Sequence, residues 1–353
     1  MKLKALRQKI DKLDSGILKL LNQRAQLTLK IGKIKSISGK PVFSPDREKQ
    51  VYRNIKKANK GPLPESTLEA VYREIMSGAL SLQNPPKIAY FGPQYTFTHI
   101  AALKKFGESI EYIECESIAE VFTEVERQRA DYGVVPIENS TEGAVNHTLD
   151  MFIDSDLKIC SEVYLPIEHN LMSKARNISS IKQVYSHQQV LAQCRMWLEK
   201  NLPHAKLTPV SSTTVAASYA TQNAKSAAIA SDLAAEKYAL KILASSIEDS
   251  AHNITRFLII GQQDVESTGY DKTSIVFSMK DKSGALHDTL APFKRSNINL
   301  TKIESRPSKK KAWKYYFFVD MEGHIKDKRI KQALDSIQKH CNFFKFLGSY
   351  PAA

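Results

Sequence analysis

The chemistry-bearing residues of the first 60 positions are cations, and one stands where helical patterning calls for an apolar side chain. Leu6, Ile10, Leu13, Ile17, Leu20, Leu21, Leu27, Ile31 and Ile34 recur at helical spacing over residues 3–36. Arg24 falls inside that stripe, between Leu20 and Leu27. A charge there must be paired, exposed at an end or given a ligand. Lys35 follows Arg24 by 11 residues, three turns, so both point to nearly the same side. Arg7 precedes Arg24 by 17 residues, about 25 Å along a straight helix, and lies on another face. Read singly, each is a solvated charge on a snorkelling stem. Read together they can grip one small polyanion, but only if two antiparallel, interlocked subunits supply them.

The elements that must position these cations follow from the punctuation. A helix of more than 30 residues ends at Gly39-Lys40-Pro41, with Gly16 and Gly32 weakening it slightly. Ser44-Pro45-Asp46 supplies a capping serine, a proline at the first helical position and an early acid, so a second helix starts there. Gly61-Pro62-Leu63-Pro64 breaks it, a third runs from about Glu65 to Gln83, and Asn84-Pro85-Pro86 is a linker. So long a helix cannot bury its stripe within so small a unit, which predicts an intertwined dimer. Beyond the linker, buried strands at Lys87–Phe91, Tyr132–Ile137, Val184–Ser186, Ala227–Ala230 and Arg256–Ile260 alternate with helical stretches. Residues 272–350 read as strand Thr273–Met279, helix Ala285–Lys294, strands Ile298–Ser305 and Trp313–Asp320, helix Lys328–His340 and strand Phe343–Leu347. That is a ferredoxin-like order. The expected class is multidomain: an all-α unit over 1–84, an α/β unit over 87–262 and an α+β unit over 272–350.

The charge balance bears on partners. The 353 residues carry a formal net charge of +14. Residues 1–60 hold 17 Lys/Arg against 4 Asp/Glu, and the remainder 34 against 33. So local an excess suits a polyanion-binding arm or a site for small polyanions. Only Phe43 and Tyr52 are aromatic there, which gives little base-stacking surface, so nucleic acid is not expected. No run approaches the ~18 apolar residues of a membrane span, so no membrane is expected. The N-terminus has no apolar signal core. Cys115, Cys160, Cys194 and Cys341 form no CxxC pair, so neither a disulfide framework nor a cysteine zinc site is expected. The chain reads as cytoplasmic.

The first unit resembles the helical chorismate mutases, through Ala5-Leu6-Arg7, Asn22-Gln23-Arg24, Gly32-Lys33-Ile34-Lys35, Asp46-Arg47-Glu48 and Gln83. The resemblance implies a pocket shared between subunits. The partner's copy of Arg7 would join Arg24 on the two carboxylates of chorismate. Lys35 would contact the ether oxygen and a carboxylate, Arg47 would add positive field, Glu48 would accept from the ring hydroxyl and Gln83 would donate to the ether oxygen. The pericyclic rearrangement needs no nucleophile or proton transfer, only a compact dianion and donors where negative charge grows. Ser44 stands where an aspartate is frequent and Ala79 where a serine is; amides at the helix start near Ser44 can still hold a carboxylate.

Residues 87–260 resemble the prephenate dehydratases. The match covers Gly92-Pro93-Gln94-Tyr95-Thr96-Phe97-Thr98-His99, the run from Val134 to Asn146, Tyr185-Ser186-His187 with Gln193-Cys194, Ser212-Thr213-Thr214 and Asn253-Ile254-Thr255-Arg256-Phe257. It implies two α/β lobes of the periplasmic-binding-protein kind with the site between them. Thr255 would protonate or hydrogen-bond the departing hydroxyl of prephenate. Asn139, Ser186 and Gln193 would position the substrate, and neutral donors avoid repelling a dianion. Outside the motif, Thr255 is an ordinary strand residue, Asn139 a turn former and His187 structural. Tyr95 replaces a glycine usual in that turn and is strained if the backbone needs positive φ.

Residues 272–350 resemble an ACT domain of the phenylalanine-responsive type, through Gly284-Ala285-Leu286, Ile298-Asn299-Leu300-Thr301 and Glu304-Ser305-Arg306-Pro307. The resemblance implies an effector pocket for L-phenylalanine bordered by these motifs at a subunit interface, with His287 in place of an apolar residue. A purely structural dimerisation module is the plainer alternative. The three resemblances together imply a bifunctional, cofactor-free enzyme of phenylalanine biosynthesis, working as a homodimer or higher oligomer. The competing classes are a non-catalytic two-lobed ligand-sensing regulator, a nucleic-acid-binding protein with a basic arm, and a dehydratase that prefers arogenate.

Overall fold

In the computed structural model, which describes residues 2–39, 41–250, 252–280, 282–308 and 314–353, the first unit is three helices. These are α1 (Lys2–Ile37), α2 (Pro45–Ala58) and α3 (Glu65–Ser81). The expected stop at Lys40 lies outside the described residues. Helix α1 buries no residue. Leu6, Ile10, Leu13, Ile17, Leu20, Leu27, Ile31 and Ile34 are each more than half exposed. Only the strip Leu21, Arg24, Ala25, Thr28, Gly32 and Lys35 is partly covered. Helix α2 starts at Pro45, as proline at the first helical position dictates. The capping role expected of Ser44 is corrected: its hydroxyl donates to Asp46 Oδ1 at 2.6 Å and makes no cap bond.

The α/β unit has two sheets. The first lobe holds β1 (Lys87–Phe91), α4 (Phe97–Phe106), β2 (Glu111–Cys115), α5 (Ile118–Glu126), β3 (Tyr132–Asn139), β4 (Gly143–Ala144), α6 (Asn146–Asp154) and β5 (Lys158–Pro166). The chain then builds the second lobe from β6 (Asn170–Ser173), β7 (Gln183–His187), α7 (Gln188–Gln193), α8 (Arg195–Asn201), β8 (Lys206–Val210), α9 (Thr213–Ala220), β9 (Ser226–Ala230), α10 (Asp232–Lys237) and β10 (Lys241–Ala244). It returns as β11 (Ile254–Gly261), which inserts between β3 and β5, so the first sheet reads β2-β1-β3-β11-β5 and the second β10-β6-β9-β7-β8. That return sets Thr255 directly opposite Asn139 in the antiparallel β3–β11 ladder.

The third unit comprises β12 (Asp271–Met279), α11 (Ala285–Arg295), β13 (Leu300–Pro307), β14 (Tyr315–Glu322), α12 (Lys328–Gln338) and β15 (Cys341–Pro351), in the sheet order β13-β14-β12-β15. This is the ferredoxin-like arrangement expected, although the strand start at Trp313 falls outside the described residues. Alternate residues leave a strand on opposite faces. Ile275, Phe277 and Val319 pack with Ile330 and Leu334 of α12. Val276, Phe318, Leu347 and Tyr350 join the core of the first lobe with Leu149, Phe152, Ile159 and Leu258. The sheet is therefore a shared wall, buried on both faces.

Candidate functional site

The helical unit holds a cavity of about 290 Å³ whose wall includes Arg24, Lys35, Ser44, Arg47, Glu48, Ala79 and Gln83. Three helices and the α1–α2 connection contribute to it. The Lys35 ammonium donates to the Val42 carbonyl at 2.8 Å, and Arg47 Nη1 donates to Gln50 Oε1 at 2.5 Å. One hydrogen of the Gln83 amide is used on the Ala79 carbonyl at 3.0 Å, which leaves the other for a ligand. Gln83 also lies against Gly32, where a Cβ would come within 2.7 Å of its Cγ and Oε1. Arg7 is exposed on the distant part of α1 and does not line this cavity. The wall also includes residues to which the sequence assigns no role, among them Arg73 of α3 and Lys105 and Phe106 of α4.

A second cavity of about 720 Å³ lies between the α/β lobes and is lined by Asn139, Gln193 and Thr255, with His169, His187 and Phe257. Its polar groups form one directed network. The Asn139 side-chain oxygen accepts from the Thr141 amide at 2.9 Å, the Thr141 hydroxyl at 2.6 Å and the Glu142 amide at 3.0 Å. The NH₂ group must therefore face the other way, and it donates to Thr255 Oγ1 and Asn253 Oδ1, both at 2.7 Å. Thr255 thus acts as acceptor toward Asn139, and its own hydroxyl hydrogen is free for the cavity. Asn253 Nδ2 continues to Gln193 Oε1 at 3.4 Å, and Gln193 Nε2 to Glu142 Oε1 at 3.2 Å.

His169 ends the network. Burial pulls its pKa below the usual value, against opposing pulls from Gln193 and Glu248. A neutral ring whose Nε2 donates to Gln193 Oε1 at 2.8 Å leaves Nδ1 a buried, unpartnered acceptor. No Lys or Arg lines this cleft among the described residues. Glu114 and Glu116 stand on its wall, and the groups that favour an anion are the starts of two helices, Thr96, Phe97 and Thr98 at α4 and Ser212 and Thr213 at α9. Helix α4 thus opens on the cleft at one end and reaches the helical cavity at the other.

Ser186 requires correction as a substrate contact. It is fully buried and donates to the Ile229 carbonyl at 2.7 Å, inside the second sheet, and it does not line the cleft. Its neighbour His187 does. Tyr95 adopts φ +69, the left-handed conformation that a non-glycine residue resists. Its turn is held by the second lobe, with Thr214 donating to the Gln94 carbonyl at 2.8 Å and Ser231 to the Tyr95 carbonyl at 3.0 Å.

In the third unit, Gly284 takes φ +77 at the start of α11, with Ala285 buried and Leu286 exposed. Glu304, Ser305 and Pro307 lie on β13, an edge strand. Arg306, expected to border the effector pocket, is held by another partner. Its guanidinium makes two bonds of 2.9 Å to Asp150 of α6, tying the third unit to the first lobe. Sequence motifs gave no signal for His169 or Lys105 as site residues and assigned no role to Asn253. Asn253 heads a matched motif, but a lone histidine after a strand and a lysine in the last turn of a helix are ordinary structural features.

Comparison with known proteins covers the same three units. Residues 88–265 match the family profile "Prephenate dehydratase", residues 6–84 "Chorismate mutase type II" and residues 273–338 "ACT domain". The chain is 51% identical over 355 residues to the bifunctional chorismate mutase/prephenate dehydratase of Aquifex aeolicus, covering 99% of this chain and 98% of that protein. The bifunctional chorismate mutase/prephenate dehydratase of Escherichia coli K12 is 31% identical over 371 residues, covering 99% and 96%. Among solved structures, the prephenate dehydratase of Arthrobacter aurescens in complex with L-Phe aligns with a TM-score of 0.70 at 35% identity, over 76% of this chain and 90% of that one. The prephenate dehydratase of Staphylococcus aureus aligns at 0.67 and 30%, over 75% and 99%.

Proposed function

We propose that this chain, which belongs to the bifunctional chorismate mutase/prephenate dehydratases, rearranges chorismate to prephenate in its helical unit and converts prephenate to phenylpyruvate in its interlobe cleft. One observation carries the reading. Two separate cavities each gather the side chains their own reaction needs, cations with Glu48 and Gln83 in the first, a directed chain of neutral donors ending on Thr255 in the second.

In the first cavity, Arg24 binds one carboxylate of chorismate, and Lys35 contacts a carboxylate and the ether oxygen, which folds the substrate into the reactive conformer. Gln83 donates to the ether oxygen as the bond breaks, and Arg47 adds positive field. Glu48 accepts from the ring hydroxyl. The second carboxylate needs Arg7 of an antiparallel copy, and the exposed apolar stripe of α1 is the surface such a copy covers. A homodimer is therefore part of the reading.

In the cleft, the carboxylate on the ring of prephenate leaves as carbon dioxide. Its bonding electrons enter the ring, and the C–O bond to the ring hydroxyl breaks. Thr255 gives its free hydrogen to that departing oxygen, which leaves as water, and a solvent proton restores the Thr255 hydroxyl. Asn139 keeps the hydroxyl turned that way, and Gln193, fixed by His169 and Asn253, faces the rest of the substrate.

The third unit binds L-phenylalanine, the amino acid with which the Arthrobacter aurescens prephenate dehydratase is in complex. Gly284, Ala285 and Leu286 border the pocket together with Glu304, Ser305 and Pro307, and β13 remains an open edge for a second copy to complete it. Among the described residues no helix is long and apolar enough to cross a membrane. We assign the enzyme to the cytoplasm, with units at 1–84, 87–262 and 272–350.

The test is direct. Purified protein given chorismate should accumulate prephenate transiently and then phenylpyruvate, and L-phenylalanine should slow the second step. Formation of neither product would overturn the reading.

A further inference from the structure

We infer that Lys105, a residue of the dehydratase lobe, is a working part of the mutase cavity, so that the first active site is completed by the unit that performs the second reaction. This rests on the assignment of the helical cavity to the mutase reaction.

Lys105 sits in the last turn of α4, and its ammonium lies on the wall of the helical cavity in an ion pair with Glu48 of α2. Only 14% of the Lys105 side chain and 11% of that of Glu48 is exposed. Surface pairs contribute little, whereas removing one member of a buried pair leaves an uncompensated charge. Here that charge would be the Glu48 carboxylate, the one acidic side chain among the described residues of a wall that must admit a dicarboxylate. Lys105 therefore acts on the substrate in two ways. It holds Glu48 in place to accept from the ring hydroxyl, and it cancels the repulsion Glu48 would otherwise exert.

The placement of Lys105 is fixed from several sides. Gly107 ends α4 at φ +76, and a Cβ there would lie 2.6 Å from Ser77 of α3, so a larger residue could not follow the helix. The Glu108 amide donates to Glu74 at 3.0 Å and the Ser109 amide to Ser77 at 3.1 Å, which ties the end of α4 to α3. The Lys105 ammonium also lies 5.6 Å from the centre of the Phe43 ring. Phe43 is only 5% exposed and packs 4.9 Å from Phe106 and 5.3 Å from Tyr132. Its neighbour Val42 supplies the carbonyl that holds Lys35. Both flanks of the cavity thus lean on the dehydratase lobe.

The experiment compares Lys105→Gln with the full-length wild type. The variant should raise KM for chorismate about tenfold or more, while kcat/KM for supplied prephenate stays within about twofold. Lys105→Arg, which can pair with Glu48 again, should restore KM. In a Glu48→Gln background, where no carboxylate needs a partner, adding Lys105→Gln should change KM by less than about twofold. That pair of variants also serves if Lys105→Gln alone folds poorly. A purely structural tie would lower Tm in every background and leave KM for chorismate untouched. An unchanged KM in folded Lys105→Gln, or an equal loss with and without Glu48, overturns the inference. If wild-type protein does not rearrange chorismate at all, the assignment of the cavity fails instead.

Discussion

Arg256 and Asp320 meet at 2.5 Å across the boundary between the first lobe and the third unit, one residue along β11 from Thr255. Thr255 faces the cleft, and strand alternation sends Arg256 to the opposite side of the sheet. There it also donates to Glu162 at 2.8 Å and to the Tyr350 hydroxyl at 2.9 Å. Burial alone would lower the Arg256 pKa, but Tyr350, Asp320 and Glu162 outweigh it and hold the guanidinium charged. Asp320→Ala removes one partner of a buried pair and should destabilise the protein by about 3–5 kcal/mol. A shift of the urea midpoint measures it, and a change under ~1 kcal/mol would show that the pair contributes little.

Asn139→Asp should keep the fold and lose dehydratase activity by about 10²-fold. A carboxylate cannot donate to Thr255 Oγ1, so the Thr255 hydrogen turns back toward it and away from the departing hydroxyl. Rates on supplied prephenate decide this, with circular dichroism as the control. Full activity would mean that the orientation of the Thr255 hydroxyl does not matter.

Gly32→Ala should separate stability from function. Alanine in a helix interior is worth roughly 0.5–1 kcal/mol over glycine. The added methyl would sit 2.7 Å from Gln83 Cγ and Oε1, and this flexible side chain can move aside. The variant should melt no lower than wild type yet lose mutase turnover by about 10²-fold as the Gln83 amide is displaced. Turnover of chorismate and thermal melting are the two measurements.

Stability should fall on mild acidification. His99 and His169 both have pKa values held below 6.5, in each case first by burial, opposed by Glu114 at His99 and by Gln193 and Glu248 at His169. Below pH 6.5 the unfolded chain takes up protons that these folded rings refuse, so unfolding gains. The stabilisation is complete above that pH and is lost as pH falls toward the depressed folded values. Melting temperatures across that window should drop for wild type and drop less for His169→Gln. Parallel curves would exclude His169 as a contributor.

Leu13→Asp places a charge in the exposed stripe of α1. Sedimentation should show wild type associated and the variant shifted toward monomer, with mutase activity lost because Arg7 no longer reaches a partner. An unchanged sedimentation coefficient with intact activity would remove the dimer from the mechanism.

Much of this architecture was legible in residue patterning. The 3.6-residue recurrence of Leu6 to Ile34 marked α1, and the third unit's alternation of strands and helices marked the order of its elements. Ser186 shows a limit that patterning itself contained. In β7 the buried positions are Val184 and Ser186, and the partly exposed ones Tyr185 and His187. Period-two alternation places Ser186 with Val184 in the core, whereas its position within a motif suggested the cleft. Arg306–Asp150 and Glu48–Lys105 were not legible, because each joins residues far apart in the chain whose types are common on any surface. Long-range pairing is set by how the units dock, and no local spacing encodes it.

Helix α4 adds a constraint on how this chain can vary. A helix turns about 100° with each residue, so inserting or deleting one position between Phe97 and Phe106 would swing Lys105 around the axis relative to Thr98. Substitutions along α4 can be absorbed one at a time, but its length cannot change without unseating one catalytic centre or the other. The segment is a ruler of fixed pitch, and the two chemistries are keyed to its opposite ends.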